Sequence, residues 1–404
     1  MILKRSQQAD YSRTMAVLDE LYGFPDPSKR IQFEREEVLA LLSSENPPHV
    51  YGFNSLLGDL DKLPTSSSDQ EKLLELHLQG DAQEIPGCGM RLLAAVKARQ
   101  LAEGGSGISP EAYSAVTKAA KSWTGAAVGN WHTSYSSGDV VQGSWFAKNL
   151  FDSHLLDTLR PGDLISIING NFVSTAAGII ALTAAERLEK FVFDELELTI
   201  DSVTARSRKD IQLPVSLRDR RQLQDVVMTA AQQLSESLMR RVSQSSGNPL
   251  FEFGDGVLPR SNSSFLDFRL TLAIESCQSA LNVCAAYVRG LALYVVAHAR
   301  DSVEKPLQPA KVFTAANSAR LDRSIGNPGG FSVTESGGVE DICDRSLQSA
   351  LQFVHQVDAF SKSMALLDAL FEYVDIPKLC MHRSPELRSF DFDVLQQLAS
   401  AAAK

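Results

Sequence analysis

Ser136-Ser137-Gly138-Asp139 is a short polar run that passes at first sight for a surface turn, because Ser and Gly cluster in turns. The same residues support a second chemistry. In a compressed loop, the backbone nitrogen of Gly138 can attack the carbonyl carbon of Ser136. Loss of two waters then leaves a five-membered ring bearing an exocyclic methylene derived from Ser137. Glycine at the third position keeps the attacking nitrogen unhindered and accepts unusual backbone angles. A small first residue eases the same approach. The product is a strong electrophile, which none of the ordinary side chains provides, and the substrate supplies the nucleophile.

Outward from this run, the chain reads mainly as helix. Gln32 to Leu42, Asp69 to Leu78 and Gly89 to Ala102 are amphipathic segments. Pro110 opens a helix that runs to about Trp123, with Ser109 as its N-cap and Pro at the favoured first position. Phe172 to Leu196 is rich in Ala, Leu and Ile, and Arg218 to Val242 repeats apolar residues at Leu223, Val227, Leu234 and Leu238. Phe265 to Val303 and Val339 to Val374 predict two further long helices. Few stretches alternate as strands do, and Asp163 to Ile168 is the best short candidate. Long apolar helices joined by polar, Gly-rich links predict a mainly α chain built as a long antiparallel helical bundle. The expected division is a smaller N-terminal loop-and-helix region over 1–135 and a central bundle over 136–404, forming one integrated unit.

Bulk properties narrow the partners. The 404 residues are 44% hydrophobic and 22% charged, within the range of soluble globular proteins. A net charge of -10 argues against a nucleic-acid backbone, which needs clustered Lys and Arg. Five scattered cysteines without a Cys-x-x-Cys pair read as reduced thiols, and the N-terminus turns polar too early for a signal peptide, so a cytoplasmic location is expected. Ala280 to Ala299 is very apolar, but Arg289 interrupts it, and it reads as a buried core helix, with no membrane partner expected. No Walker loop, His-Glu-x-x-His or Gly-x-Ser-x-Gly is present, Gly87-Cys88-Gly89 lacks the rest of a dinucleotide loop, and the seven histidines are dispersed. No metal or nucleotide is expected.

Several further segments, in order, resemble those of the aromatic amino acid lyase family: the histidine, phenylalanine and tyrosine ammonia-lyases and the related aminomutases. Ser136-Ser137-Gly138-Asp139 resembles the family's Ala-Ser-Gly-Asp-Leu. Tyr51-Gly52-Phe53-Asn54-Ser55-Leu56-Leu57-Gly58 is similar to the loop that carries the catalytic Tyr. Leu73-Leu74-Glu75-Leu76-His77-Leu78-Gln79-Gly80 resembles the helix that follows it, and Gly105-Ser106-Gly107-Ile108 the Tyr-Ser-Gly-Val segment. Pro161-Gly162-Asp163-Leu164 through Ile168-Asn169-Gly170, then Ser216-Leu217-Arg218, Asn248-Pro249-Leu250 and Val339-Glu340-Asp341 complete the series.

The resemblance implies the ammonia-lyase (fumarase/aspartase-like) bundle. It also implies a 4-methylidene-imidazol-5-one (MIO) group formed autocatalytically from Ser136, Ser137 and Gly138. Elimination of ammonia from an aromatic or histidine-like amino acid would then pass through an amine adduct. Tyr51 matches the base, and its phenol, with an ordinary pKa of about 10, needs positive potential to act near neutrality. Arg218 matches the carboxylate clamp, since a guanidinium offers paired donors in a planar fork. Asn169 matches a donor to the carboxylate or the electrophile, Glu340 the amine-side carboxylate, and His77 a ring-recognising residue. Family members are homotetramers whose sites draw on three subunits. Departures are Tyr135 before the triad, Val141-Gln142-Gly143 after it, Val215 where a second site Tyr is usual, and Ser263 in Ser261-Asn262-Ser263-Ser264-Phe265. Ser263 in place of Phe is expected to remove an apolar wall beside the electrophile. The alternatives left open are an aminomutase with the same electrophile and an inactive scaffold relative.

Overall fold

The computed structural model describes residues 11–130, 138–206, 212–299, 332–335 and 340–373. Four long helices form the bundle: α8 (Phe172–Lys190), α11 (Arg221–Val242), α12 (Phe268–Ala299) and α13 (Ser346–Tyr373). Each packs on its neighbours in a closed ring, α8 on α11, α11 on α12, α12 on α13 and α13 back on α8. The stripe on α11 explains its place. Leu223, Val227, Ala230, Leu234 and Leu238 recur every three or four residues, and all are buried. Helix α8 is buried almost all round, so it lacks a polar face. It runs through a π turn, Phe191–Leu196, into α9 (Glu197–Arg206). The Asp163–Thr204 run is apolar and long enough to cross a membrane, yet 94% of its apolar window is buried within the protein.

A second layer lies against the bundle. It comprises α1 (Ser12–Tyr22), α2 (Ser28–Leu42), α3 (Ser67–Leu76), α4 (Gly87–Ala102), α5 (Pro110–Ser122), α6 (Val140–Asp152) and α7 (Asp163–Ile168). Helix α1 packs on α11 and α8, and α4 packs on α5 and α8. Glu186 of α8 pins α1, accepting from Arg13 N at 2.7 Å, Thr14 N at 3.1 Å and Thr14 Oγ1 at 2.6 Å. Three two-stranded ladders trim the layers: β1 (Gln83–Ile85) with β2 (Ala127–Gly129), β3 (Leu250–Phe253) with β4 (Val257–Arg260), and β5 (Ser332–Glu335) with β6 (Glu340–Ile342), all antiparallel. One cluster of buried apolar side chains runs from Tyr11 to Met364 and spans both layers.

Caps explain several boundaries. The Ser109 hydroxyl accepts from Ala112 N, as expected for the start of α5. Ser66 and Asp69 form a capping box at α3. Asp219 accepts from Arg221 N at 3.0 Å, and this break separates α10 (Val215–Arg218) from α11, so the helix expected from Arg218 starts at Arg221.

Two expectations are corrected. Asp163 to Ile168 is helix α7, not a strand. All six of its residues are buried, so no face alternates, and the Asp163 carboxylate fixes a turn by accepting from Arg160 N, Ser109 N and Ser109 Oγ. Helix α13 begins at Ser346, not Val339. Residues 340–342 pair as strand β6, and Asp344 caps the helix by accepting from Ser346 N.

Candidate active site

Gly138 stands just before α6 with φ +82°, in the left-handed region that disfavours side chains. A Cβ there would lie 3.2 Å from the Gly170 carbonyl oxygen and 3.5 Å from Phe265 Cβ. The next amide, Asp139 N, donates to that same Gly170 oxygen at 2.7 Å. The described end of the tripeptide is therefore clamped between the 169–171 loop and the 261–267 segment. Gly143 permits the clamp, because a side chain there would strike the Ile168 backbone, with Cα 2.8 Å away. Ser136 and Ser137 lie outside the described residues.

A buried polar layer holds this clamp. Lys97 of α4 is fully buried, donates from Nζ to the Asn169 carbonyl at 2.8 Å, and sits 5.1 Å from the Phe172 ring centroid. Burial lowers its amine to about 7, against the pull of the Asp139 charge. Asp139 is also buried, and accepts from Ser174 N at 2.8 Å and Ser174 Oγ at 2.6 Å at the start of α8. Burial raises Asp139 to about 7, although the Ser174 bonds favour its charged form. Arg241, at the end of α11, donates from Nε to Asn171 Oδ1 at 3.0 Å and from Nη2 to the Ser264 carbonyl at 2.8 Å. Gln100 donates to the same Asn171 oxygen at 3.0 Å. Arg241 feels three acids, Asp267, Asp344 and Asp139. Asp344 accepts from Asp267 N at 2.5 Å, and burial holds its carboxyl above the usual range.

The structure distributes the sequence candidates unevenly. Asn169 ends α7 beside Gly138, and its Oδ1 is buried without a hydrogen-bond partner among the described residues. The Tyr51 loop packs on α7, where Gly52 meets Ile165, and Phe53 meets Phe251 edge-on at 5.0 Å. The Tyr51 hydroxyl accepts from Gly58 N at 3.0 Å. His77 caps the end of α3, and its Nδ1 donates to the Leu73 carbonyl at 2.6 Å, which leaves Nε2 as the other ring nitrogen. Glu340 lies in β6, and four residues on the chain enters the polar layer at Asp344.

Arg218 and Val215 stand on α10, which packs on α12. Val215 is 75% exposed, and Arg218, also exposed, donates from Nε to the Leu213 carbonyl at 2.6 Å. Neither is buried with the layer around Gly138. Ser263 is exposed, and its carbonyl accepts from Leu266 N. Two residues later, Phe265 stands against Gly138, its Cβ 3.5 Å from where a Gly138 Cβ would be. Lys97, Asn171, Ser174, Arg241 and Asp344 were not singled out by sequence reading. The available signal was a cation within the apolar Leu92-Leu93-Ala94-Ala95-Val96-Lys97-Ala98 run.

By sequence, no family model and no curated protein matches the chain. Solved structures do. The ergothioneine-degrading enzyme ergothionase from Treponema denticola aligns at TM-score 0.71 and 14% identity, over 96% of this chain and 97% of that one. A tyrosine aminomutase from Streptomyces globisporus aligns at TM-score 0.67 and 15% identity, over 96% and 95%. Histidine ammonia-lyase from Trypanosoma cruzi aligns at TM-score 0.63 and 16% identity, over 94% and 88%. The chain has the helical fold of the ammonia-lyases and aminomutases.

Proposed function

We propose that this chain is a divergent aromatic amino acid lyase, a carbon–nitrogen lyase that removes ammonia from an aromatic or histidine-like amino acid. The observation that carries this reading is the seating of Gly138. Its left-handed backbone, the anchored Asp139 amide and the tight space at its Cα suit a tripeptide that closes on its own nitrogen. The unpartnered Oδ1 of Asn169 adds a polar group at the same place. These residues fit a 4-methylidene-imidazol-5-one built from Ser136, Ser137 and Gly138. When formed, that group supplies an electrophile for the substrate amine.

The remaining roles follow from side-chain chemistry. Lys97 fixes the Asn169 carbonyl and so the loop that grips Gly138. Arg241 fixes Ser264, and with it Phe265 over Gly138, which keeps water from that face. Helices α6 and α8 both start here, and their positive ends favour negative charge on a reacting group. Tyr51 is assigned the base that takes a carbon-bound proton, Glu340 the amine side, His77 the substrate ring and Arg218 the carboxylate. Arg218 is exposed in the single chain, so a neighbouring subunit is needed to complete the site. Leu272 and Leu293 on α12 and Val226 and Met228 on α11 are exposed apolar residues that suit a homotetramer. The four described cysteines form no disulfide among the described residues, which suits the cytoplasm.

Incubation of the purified protein with phenylalanine, tyrosine and histidine, reading ammonia and ultraviolet absorbance, tests the proposal. Ammonia with a new absorbing product is expected for a lyase, and a β-amino acid without net ammonia marks the aminomutase alternative. Ser137→Ala should abolish turnover and leave assembly unchanged. Full activity in that variant would remove the electrophile from the account.

A further inference from the structure

Helices α1, α2, α4 and α5 line a partly open cavity of about 820 Å³, and none of its lining residues belongs to the layer around Gly138. Its size is that of a small-molecule pocket. Ile31, Leu92 and the Phe24 ring form apolar wall, and the Arg99 guanidinium holds that ring from 5.2 Å. Two phenols, Tyr22 and Tyr113, also line it. Tyr113 is only 6% exposed, and neither hydroxyl has a hydrogen-bond partner among the described residues. Burial pushes both phenols up to about 12, so both stay protonated and able to donate. Buried tyrosines normally find a partner for the hydroxyl. These two hydroxyls line the same space without a protein partner among the described residues, so both are available to donate to an occupant.

Charge gives the occupant its sign. Arg91 donates from Nη1 to the Trp123 carbonyl at 2.7 Å and makes no ion pair with a carboxylate among the described residues. Lys121 adds a second cation. Asp26 is the single acid of the lining, and it accepts from Ser28 N at 3.0 Å and Ser28 Oγ at 2.5 Å. Cations therefore outnumber anions around a wall of rings and aliphatic side chains. We propose that this cavity is a second ligand site, for an organic anion with an extended ring-containing body, held by Arg91 and by the Tyr22 and Tyr113 hydroxyls.

The test titrates the intact protein with anilinonaphthalene sulfonate, a fluorescent anion of two linked ring systems. Saturable, blue-shifted binding of one probe per chain is expected. Arg91→Gln should weaken it about tenfold, the worth of one charged hydrogen bond. Tyr113→Phe, which removes one oxygen and keeps the ring, should weaken it several-fold. Ser114→Trp, which fills the cavity from α5, should abolish it, with circular dichroism confirming that each variant is folded. Three results overturn the proposal: no saturable binding to the intact protein, equal binding by all three variants, or binding lost in Tyr51→Phe while the cavity variants keep it.

Discussion

Replacing Arg241 by Met removes a guanidinium that faces three buried acids, and its cost can be worked from the contacts. Two short hydrogen bonds disappear, to Asn171 Oδ1 and to the Ser264 carbonyl. Asn171 keeps Gln100 as a donor, so that loss is discounted. The larger effect is on Asp139 and Asp344, which lose a nearby positive charge, whereas Asp267 keeps Arg240 at 3.4 Å. Removing one partner from a buried charged cluster costs about 3–5 kcal/mol, a large part of a typical net stability of about 5–15 kcal/mol. The loss should also depend on pH. Burial raises Asp139 to about 7 and holds Asp344 above its ordinary value. An acid with a raised folded pKa binds its proton more tightly in the folded state, so its contribution to stability falls as pH rises from about 4 towards that folded value. Without Arg241 the folded values rise further and the fall deepens. Urea unfolding followed by circular dichroism, at about pH 7.5 and about pH 5.5, should therefore show the greater loss at the higher pH. A loss below about 1 kcal/mol, or one that grows on acidification, would refute the reasoning.

Other substitutions test separate parts. Gly52→Ala forces a side chain into φ +71° and against Ile165, so a loss of about 2 kcal/mol or more is expected in thermal unfolding, together with reduced turnover through the Tyr51 loop. Asp163→Asn sets an amide donor against the amides of Ser109 and Arg160, at a cost of about 2–3 kcal/mol in the same assay; an unchanged midpoint would contradict the capping role. Phe265→Ala uncovers Gly138 and should lower turnover while costing stability only about 1 kcal/mol, because the ring is partly exposed. Tyr51→Phe should depress kcat far more than it raises KM, and an unchanged kcat would reject Tyr51 as the base.

Local chemistry made much of the fold readable. Ser109-Pro110 announces the start of α5, and the apolar spacing on α11 marks a helix with one buried face. Such signals are local, so they survive without knowledge of the partner surface. The six residues of α7 carry no such signal, since burial on every side erases periodicity and leaves a run that suits strand or helix equally. The start of α13 was misplaced for a related reason: residues 340–342 pair with β5 as strand β6, a partner that helical periodicity does not reveal, and the helix starts only after the Asp344 cap.

The site divides in the same way. Gly138 and Asn169 were singled out because they stand in segments that resemble family motifs, and of the two only Gly138 has a left-handed backbone. Lys97 and Arg241 were passed over because a lone cation on a helix ordinarily reaches solvent, and only the packing of α4 and α11 against the 169–171 and 261–267 loops buries these two. Phe265 was passed over because comparison by position drew attention to Ser263, whereas the contact with Gly138 is set by how the loop turns.

The most direct measurement is the intact mass of the denatured, purified protein beside that of Ser137→Ala. Closure of Ser136-Ser137-Gly138 makes the native chain lighter than its sequence by two waters and leaves the variant at its full sequence mass. A native chain at full sequence mass would contradict the account and leave the helical fold alone standing.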